Sequence, residues 1–68
     1  MLITMEELKI LIQQRKLRYI SQEKLADYLG ITLTTLSRYE NGKREIPFNL
    51  VVKYADYVGF ELKFTLKT

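Results

Sequence analysis

A short polar segment in the middle of the chain, TLTTLSRYENG (32–42), carries the side chains best suited to hydrogen-bonding chemistry. If this segment forms a helix, Thr34, Ser37 and Arg38 lie on one side of it, since each residue advances by about 100°. Serine and threonine hydroxyls both donate and accept hydrogen bonds, and a guanidinium can donate two parallel bonds. We therefore interpret this side as a surface that recognises hydrogen-bonding groups, such as the edges of DNA base pairs.

The opposite side of the same segment carries Leu36, Tyr39 and Glu40, which we expect to pack on the rest of the domain. Thr35 and Leu33 lie on the flanks, and Leu33 could either contact a thymine methyl group or serve as a packing residue. A helix face that is merely solvated more commonly carries Lys, Glu and Ala. The short polar side chains therefore favour a binding surface over a solvated one, because they let the helix backbone approach a partner closely.

The composition excludes most other kinds of chemistry. The 68 residues include no Cys and no His, so the chain has neither a disulfide nor the usual zinc ligands. It also lacks a His or Cys nucleophile or base and a Gly-rich phosphate loop. We expect no enzymatic activity, no metal and no cofactor.

The charge and hydropathy of the chain bear on its partners and location. The net charge of +3, from 11 basic and 8 acidic residues, fits an anionic partner such as nucleic acid and equally an ordinary basic domain. No apolar run approaches the ~20 residues of a membrane span, and the first residues do not have the pattern of a signal peptide. We therefore expect a cytoplasmic protein that does not bind membranes.

Two short helices on either side of a glycine would position the polar segment. Ser21 is a helix cap that predicts a helix over Gln22–Leu29, and Gly30 is suited to the sharp turn that follows. Thr32 caps the next helix, Leu33–Glu40, which ends at Asn41-Gly42. Ala26 is small where the second of these helices would cross the first. This arrangement is the helix-turn-helix pattern.

Two further helices are predicted around this pair. Thr4 and Glu7 form a capping box before a helix over Met5–Leu17. Pro47 suits the first position of a fourth helix that Gly59 ends. Its buried face is predicted to be Leu50, Val51, Tyr54, Ala55 and Val58. The segment between the third and fourth helices is predicted to be a polar connection.

The hydrophobic period changes after Gly59. Apolar residues alternate with polar ones over 60–67, which predicts a β-strand with one apolar face, consisting of Phe60, Leu62, Phe64 and Leu66. This strand needs a partner, because one strand cannot satisfy its own backbone. The partner could be Met1–Thr4 or the same strand of a second copy, and we favour the second copy because a chain this small needs extra burial. We expect a single domain over 1–68, with 60–67 as a dimerisation strand.

The segment SQEKLADYLGITLTTLSRYENGKREIP resembles the DNA-binding domain of the Cro/C1 type, also called the XRE family. The resemblance covers residues 8–59. It implies a compact domain of four or five helices, usually dimeric, whose third helix enters the major groove of double-stranded DNA. For this chain we expect a mainly α, compact four-helix domain like that of the lambda repressor. The chain departs from the family after Gly59, where the family commonly has a fifth helix. A minority of members, including antitoxins that partner kinase-type toxins, end in a strand.

The side-chain chemistry of the third helix, together with the resemblance, assigns roles to single residues. The expected base-reading residues are Leu33, Thr34, Thr35, Ser37 and Arg38. The expected phosphate-binding residues are Gln22, Thr32, Asn41, Lys43 and Arg44. Arg15 and Glu40 would form a partly buried ion pair between the first and third helices, and Gln22 would also brace the third helix.

We therefore expect a sequence-specific transcriptional regulator of bacterial or phage origin, most simply a repressor that binds a palindromic operator as a homodimer. The alternative is an antitoxin or phage regulator that acts mainly through a protein partner, such as a toxin. The apolar row at 60–66 would distinguish them, since it would be covered in the homodimer and exposed as a docking site otherwise.

Overall fold

The computed structural model describes residues 4–59, and four α-helices make up most of this part. They are α1 (Met5–Leu17), α2 (Gln22–Leu29), α3 (Leu33–Glu40) and α4 (Phe48–Tyr57). The predicted mainly α, four-helix architecture is confirmed. Pro47 is not the first residue of α4 but its N-cap, with extended backbone angles. The predicted strand at 60–67 lies outside the described residues, as do residues 1–3.

Side-chain caps explain where the first three helices begin. At the start of α1 the backbone N–H of Glu7 donates to Oγ1 of Thr4 (3.1 Å), and the N–H of Thr4 donates to Oε1 of Glu7 (3.0 Å). Ser21 accepts from the N–H of Lys24 at α2, also at 3.1 Å. Each cap satisfies an amide that the helix itself leaves without a partner.

The turn between α2 and α3 depends on one glycine. Gly30 has a φ of +73°, the left-handed region that L side chains seldom adopt. Its N–H donates to the carbonyl of Asp27, and the N–H of Ile31 donates to the carbonyl of Ala26. Thr32 then begins α3 by accepting from the N–H of Thr35 at 3.1 Å. Only two residues therefore separate the end of α2 from the cap of α3.

The core lies where the four helices meet, with α2 packed on α3 and α4, and α1 packed on α3. Its apolar residues are Leu8, Leu11, Leu25, Ala26, Leu29, Leu36, Tyr39, Ile46, Val51, Tyr54, Ala55 and Val58. Leu50, predicted on the buried face of α4, is only half-buried. The prediction of a polar connection between α3 and α4 was wrong at one position. Ile46 lies in this connection, and its side chain is buried in the core.

No helix within residues 4–59 has the length and apolar character needed to span a membrane.

Candidate nucleic-acid interface

The inner side of α3 attaches this helix to the domain. Leu36 is fully buried, and Tyr39 and Glu40 are also buried. Leu36 and Tyr39 belong to the apolar core, whereas Glu40 is one of two charged residues enclosed in the described part of the chain. The position and rotation of α3 are therefore set by one apolar contact surface and one buried carboxylate.

The outer side of α3 is exposed or half-buried along its length. Thr34 and Arg38 are exposed, and Thr35 and Ser37 are half-buried. Leu33 exposes 42 % of its surface, so the core does not enclose it. All five residues that the sequence singled out for base contact thus have accessible side chains.

Two side-chain hydrogen bonds organise this outer side. The hydroxyl of Thr32 donates to Oγ1 of Thr35 at 2.8 Å, and Nδ2 of Asn41 donates to Oγ of Ser37 at 3.2 Å. The guanidinium of Arg38, by contrast, has no hydrogen bond or ion pair with any residue in 4–59. Among residues 4–59, the guanidinium N–H groups of Arg38 are therefore all unpaired.

Arg15 on α1 forms a buried bidentate pair with Glu40. Its Nε donates to Oε2 (3.0 Å) and its Nη2 to Oε1 (3.1 Å), while Nη1 donates to the carbonyl of Ile20 at 2.9 Å. This is the geometry in which the planar guanidinium matches a carboxylate. The structure thus joins the two residues that the sequence paired.

Gln22, the first residue of α2, lies against the same carboxylate. Its Nε2 donates to Oε1 of Glu40 at 2.8 Å, and its side chain is half-buried. The contact joins the start of α2 to the end of α3. Gln22 therefore helps to hold α3 against α2.

Tyr54 on α4 completes the network and was missed as a polar partner. The sequence placed it on the buried face of its helix but gave its hydroxyl no role. That hydroxyl donates to Oε2 of Glu40 at 2.6 Å. A signal was available, because a buried tyrosine hydroxyl usually has a hydrogen-bond partner.

Burial and the hydrogen bonds around Glu40 change the pKa values of Tyr54 and Arg15. Burial, and next the hydrogen bond to Glu40, raise the pKa of Tyr54 well above its usual value. Burial alone would lower the pKa of Arg15, but the hydrogen bonds and the charge of Glu40 outweigh it and raise that pKa. Arg15 therefore stays charged, and Tyr54 stays neutral, throughout the physiological pH range.

The basic residues that follow α3 are both exposed. Gly42 turns the chain at a φ of +73°, and the N–H of Lys43 donates to the carbonyl of Arg38 at 2.9 Å. The guanidinium carbon of Arg44 lies 5.9 Å from the ring centroid of Tyr39, within the range of a cation–π contact. The backbone bond thus fixes the chain at Lys43, and the ring contact holds the charge of Arg44 beside the C-terminal end of α3.

The structure gathers most of the predicted site residues around one helix. The start of α2 lies beside the C-terminal end of α3, because Gln22 donates to Glu40, and the basic residues that follow α3 continue from that end. Phe60, Leu62, Phe64 and Leu66, the predicted dimerisation residues, lie outside the described part of the chain.

Comparison with known proteins agrees with this architecture. A family model described as helix-turn-helix matches residues 11–64. A relative from Bacillus subtilis (strain 168), the SPbeta prophage-derived uncharacterized HTH-type transcriptional regulator YonR, is 38 % identical over 47 residues, or 69 % of this chain and 44 % of the relative. This chain thus spans less than half of that protein. No solved structure matches this chain. Because the family model covers most of the sequence, the chain belongs to the helix-turn-helix family of the Cro/C1 (XRE) type.

Proposed function

We propose that this chain is a sequence-specific DNA-binding transcriptional regulator that inserts α3 into the major groove. The observation that supports it most is the division of α3 into two sides. Leu36, Tyr39 and Glu40 fix the helix to the domain, while Arg38 projects from the other side with its guanidinium unpaired in the described structure. The name of the Bacillus subtilis relative, an HTH-type transcriptional regulator, supports the same function.

Base recognition is assigned to the outer side of α3. Thr34 and Ser37 supply short hydroxyls that can donate to or accept from base edges. Arg38 supplies a long fork that can bond O6 and N7 of one guanine. Thr35 and Leu33 lie on the flanks, and the exposed Leu33 side chain is suited to contact with a thymine methyl group.

Phosphate binding is assigned to residues around the ends of α3. Gln22 and Thr32 stand at the starts of α2 and α3, where helix amides attract anions. Asn41, Lys43 and Arg44 follow α3 and are exposed. Such contacts supply affinity that falls with salt and carry no sequence information of their own.

We further propose that the regulator acts as a homodimeric repressor on a palindromic operator. Two copies related by a two-fold axis would place their α3 helices about 34 Å apart, one turn of DNA. Light scattering tests the dimer directly, since two chains of 8.1 kDa give a species of about 16 kDa. A mass of 8.1 kDa at micromolar concentration would contradict it.

Selection from random DNA tests the proposed function as a whole. The purified chain is incubated with a pool of random duplexes, and the bound fraction is amplified and sequenced over several rounds. We expect enrichment of one motif with two inverted halves. A pool that remains random, although the protein is folded by circular dichroism, would overturn the function.

A further inference from the structure

A groove of about 580 Å³ lies between α1 and the adjoining ends of α2 and α3. Its α1 wall is a stripe at helical spacing, formed by Met5, Lys9, Ile12 and Lys16. Gln22 and Asn41 line it from α2 and from the residue after α3. The groove therefore borders α3 on the side of α1.

The free charge in this groove is positive. Arg15 and Glu40 also line it, but they neutralise each other in their bidentate pair. Lys9 and Lys16 are exposed, and neither ammonium group has an ion pair or hydrogen bond with a residue in 4–59. Among the described residues, the groove thus carries two unpaired ammonium groups beside an ion pair whose charges cancel.

The lining chemistry indicates the class of ligand. Sites for small organic molecules are mostly apolar and aromatic, whereas no aromatic residue among 4–59 lines this groove. A flexible ammonium group is instead a good point-charge ligand for phosphate. A polyanion with phosphates at regular spacing would meet both lysines, which stand seven residues apart on one helix and hence about 10 Å apart along its axis.

We infer that Lys9 and Lys16 bind the phosphodiester backbone of the same DNA duplex, extending the DNA-binding surface from α2 and α3 onto α1. This inference rests on the proposed function, because Gln22 and Asn41 belong both to the groove and to the proposed phosphate-binding set. The groove is thus continuous with the proposed interface. Arg15 is excluded as the main phosphate ligand, since Nε, Nη1 and Nη2 each donate to a protein oxygen.

The salt dependence of DNA binding tests the inference. Lys9→Gln, Lys16→Gln and the double variant are compared with Lys53→Gln, which removes the same charge from an exposed position on α4 outside the groove. Binding to the selected duplex, and to a mixed-sequence duplex of equal length, is measured by fluorescence anisotropy from 50 to 200 mM KCl. Thermal melting of each variant verifies its fold.

The slope of log K against log salt concentration is negative, and each phosphate contact makes it steeper by about 0.9. We expect each groove variant to reduce the magnitude of that slope by about 0.9 per bound chain, and the double variant by about 1.8 per bound chain, on both duplexes. A homodimer on the selected duplex carries each substitution twice, so it should lose twice these amounts. The base preference stays as in the wild type, and Lys53→Gln changes the slope much less. Folded groove variants with the slope of Lys53→Gln would overturn the inference and leave the proposed function intact. A wild-type chain that binds neither duplex would overturn both.

Discussion

The hydroxyl of Tyr54 donates a 2.6 Å hydrogen bond to Oε2 of Glu40, the same oxygen that accepts from Nε of Arg15. Gln22 donates to the other carboxylate oxygen. One side chain on α3 is therefore bonded to α1, α2 and α4 at once. The orientation of the proposed recognition helix depends on this carboxylate, which is the only one buried among residues 4–59.

Removing the carboxylate should destabilise the whole domain. We expect Glu40→Ala to cost roughly 3–5 kcal/mol, because it leaves the buried guanidinium of Arg15 without its counter-charge. In a domain this small, such a loss lowers Tm strongly or prevents folding. Glu45→Ala, at an exposed position, is the matched control and should melt like the wild type. Equal Tm values for Glu40→Ala and Glu45→Ala by circular dichroism would contradict the role of the network.

The Tyr54 hydroxyl should contribute more to the free energy of unfolding than an exposed tyrosine hydroxyl does. Tyr54→Phe keeps the buried ring and removes one hydrogen bond to a charged group, which is worth about 1.5–3 kcal/mol. Tyr28→Phe removes the 3.1 Å bond of an exposed hydroxyl to Asp56 and should change stability little. Urea unfolding of both variants measures the difference. A larger loss in Tyr28→Phe would show that the buried bond is not the important one.

The raised pKa of Tyr54 predicts a loss of stability at high pH. Burial, and next the bond to Glu40, keep this phenol protonated in the folded state above the usual tyrosine pKa of about 10. Its contribution to stability is therefore complete below pH 10 and declines as the pH rises above 10, where the unfolded chain releases the proton. The free energy of unfolding, measured from pH 8 to 11, should fall less steeply in Tyr54→Phe than in the wild type. Parallel curves would contradict this assignment.

The turn before α3 should be sensitive to backbone conformation rather than to space. A Cβ atom at Gly30 would meet no heavy atom within 4 Å, yet the φ of +73° is unfavourable for alanine. We expect Gly30→Ala to cost about 1–2 kcal/mol. Gly30→Asn should cost less, because asparagine tolerates this region better. If both variants are as stable as the wild type in urea, the turn does not depend on φ at this position.

The helices and the two sides of α3 could be predicted because they depend on local signals. Caps at Thr4, Ser21 and Thr32 mark where helices begin, and helical spacing separates Leu36 from Arg38. The hydroxyl of Tyr54 could not be assigned a partner, since that partner lies 14 residues away and is brought near only by folding. Ile46 was missed for a related reason, because its charged neighbours in the sequence conceal a single anchoring side chain.

The groove beside α1 illustrates the same limit. Lys9 and Lys16 look like ordinary solvated residues in the sequence, and no motif marks them. Their proximity to Gln22 and Asn41 follows from the packing of α1 against α3. This groove is formed by tertiary contacts, so the residue pattern alone could not predict it.

The affinity of Arg38→Ala for a panel of duplexes tests the central proposal, that the outer side of α3 recognises bases. The panel contains the selected duplex and its single-base variants, and Arg44→Ala serves as a phosphate-contact comparison. We predict that Arg38→Ala loses about 1–3 kcal/mol on the selected duplex and discriminates less at one base position, because the bidentate contact is gone. Arg44→Ala should weaken binding to all duplexes alike. An equal loss on every duplex for Arg38→Ala would contradict base recognition by this helix.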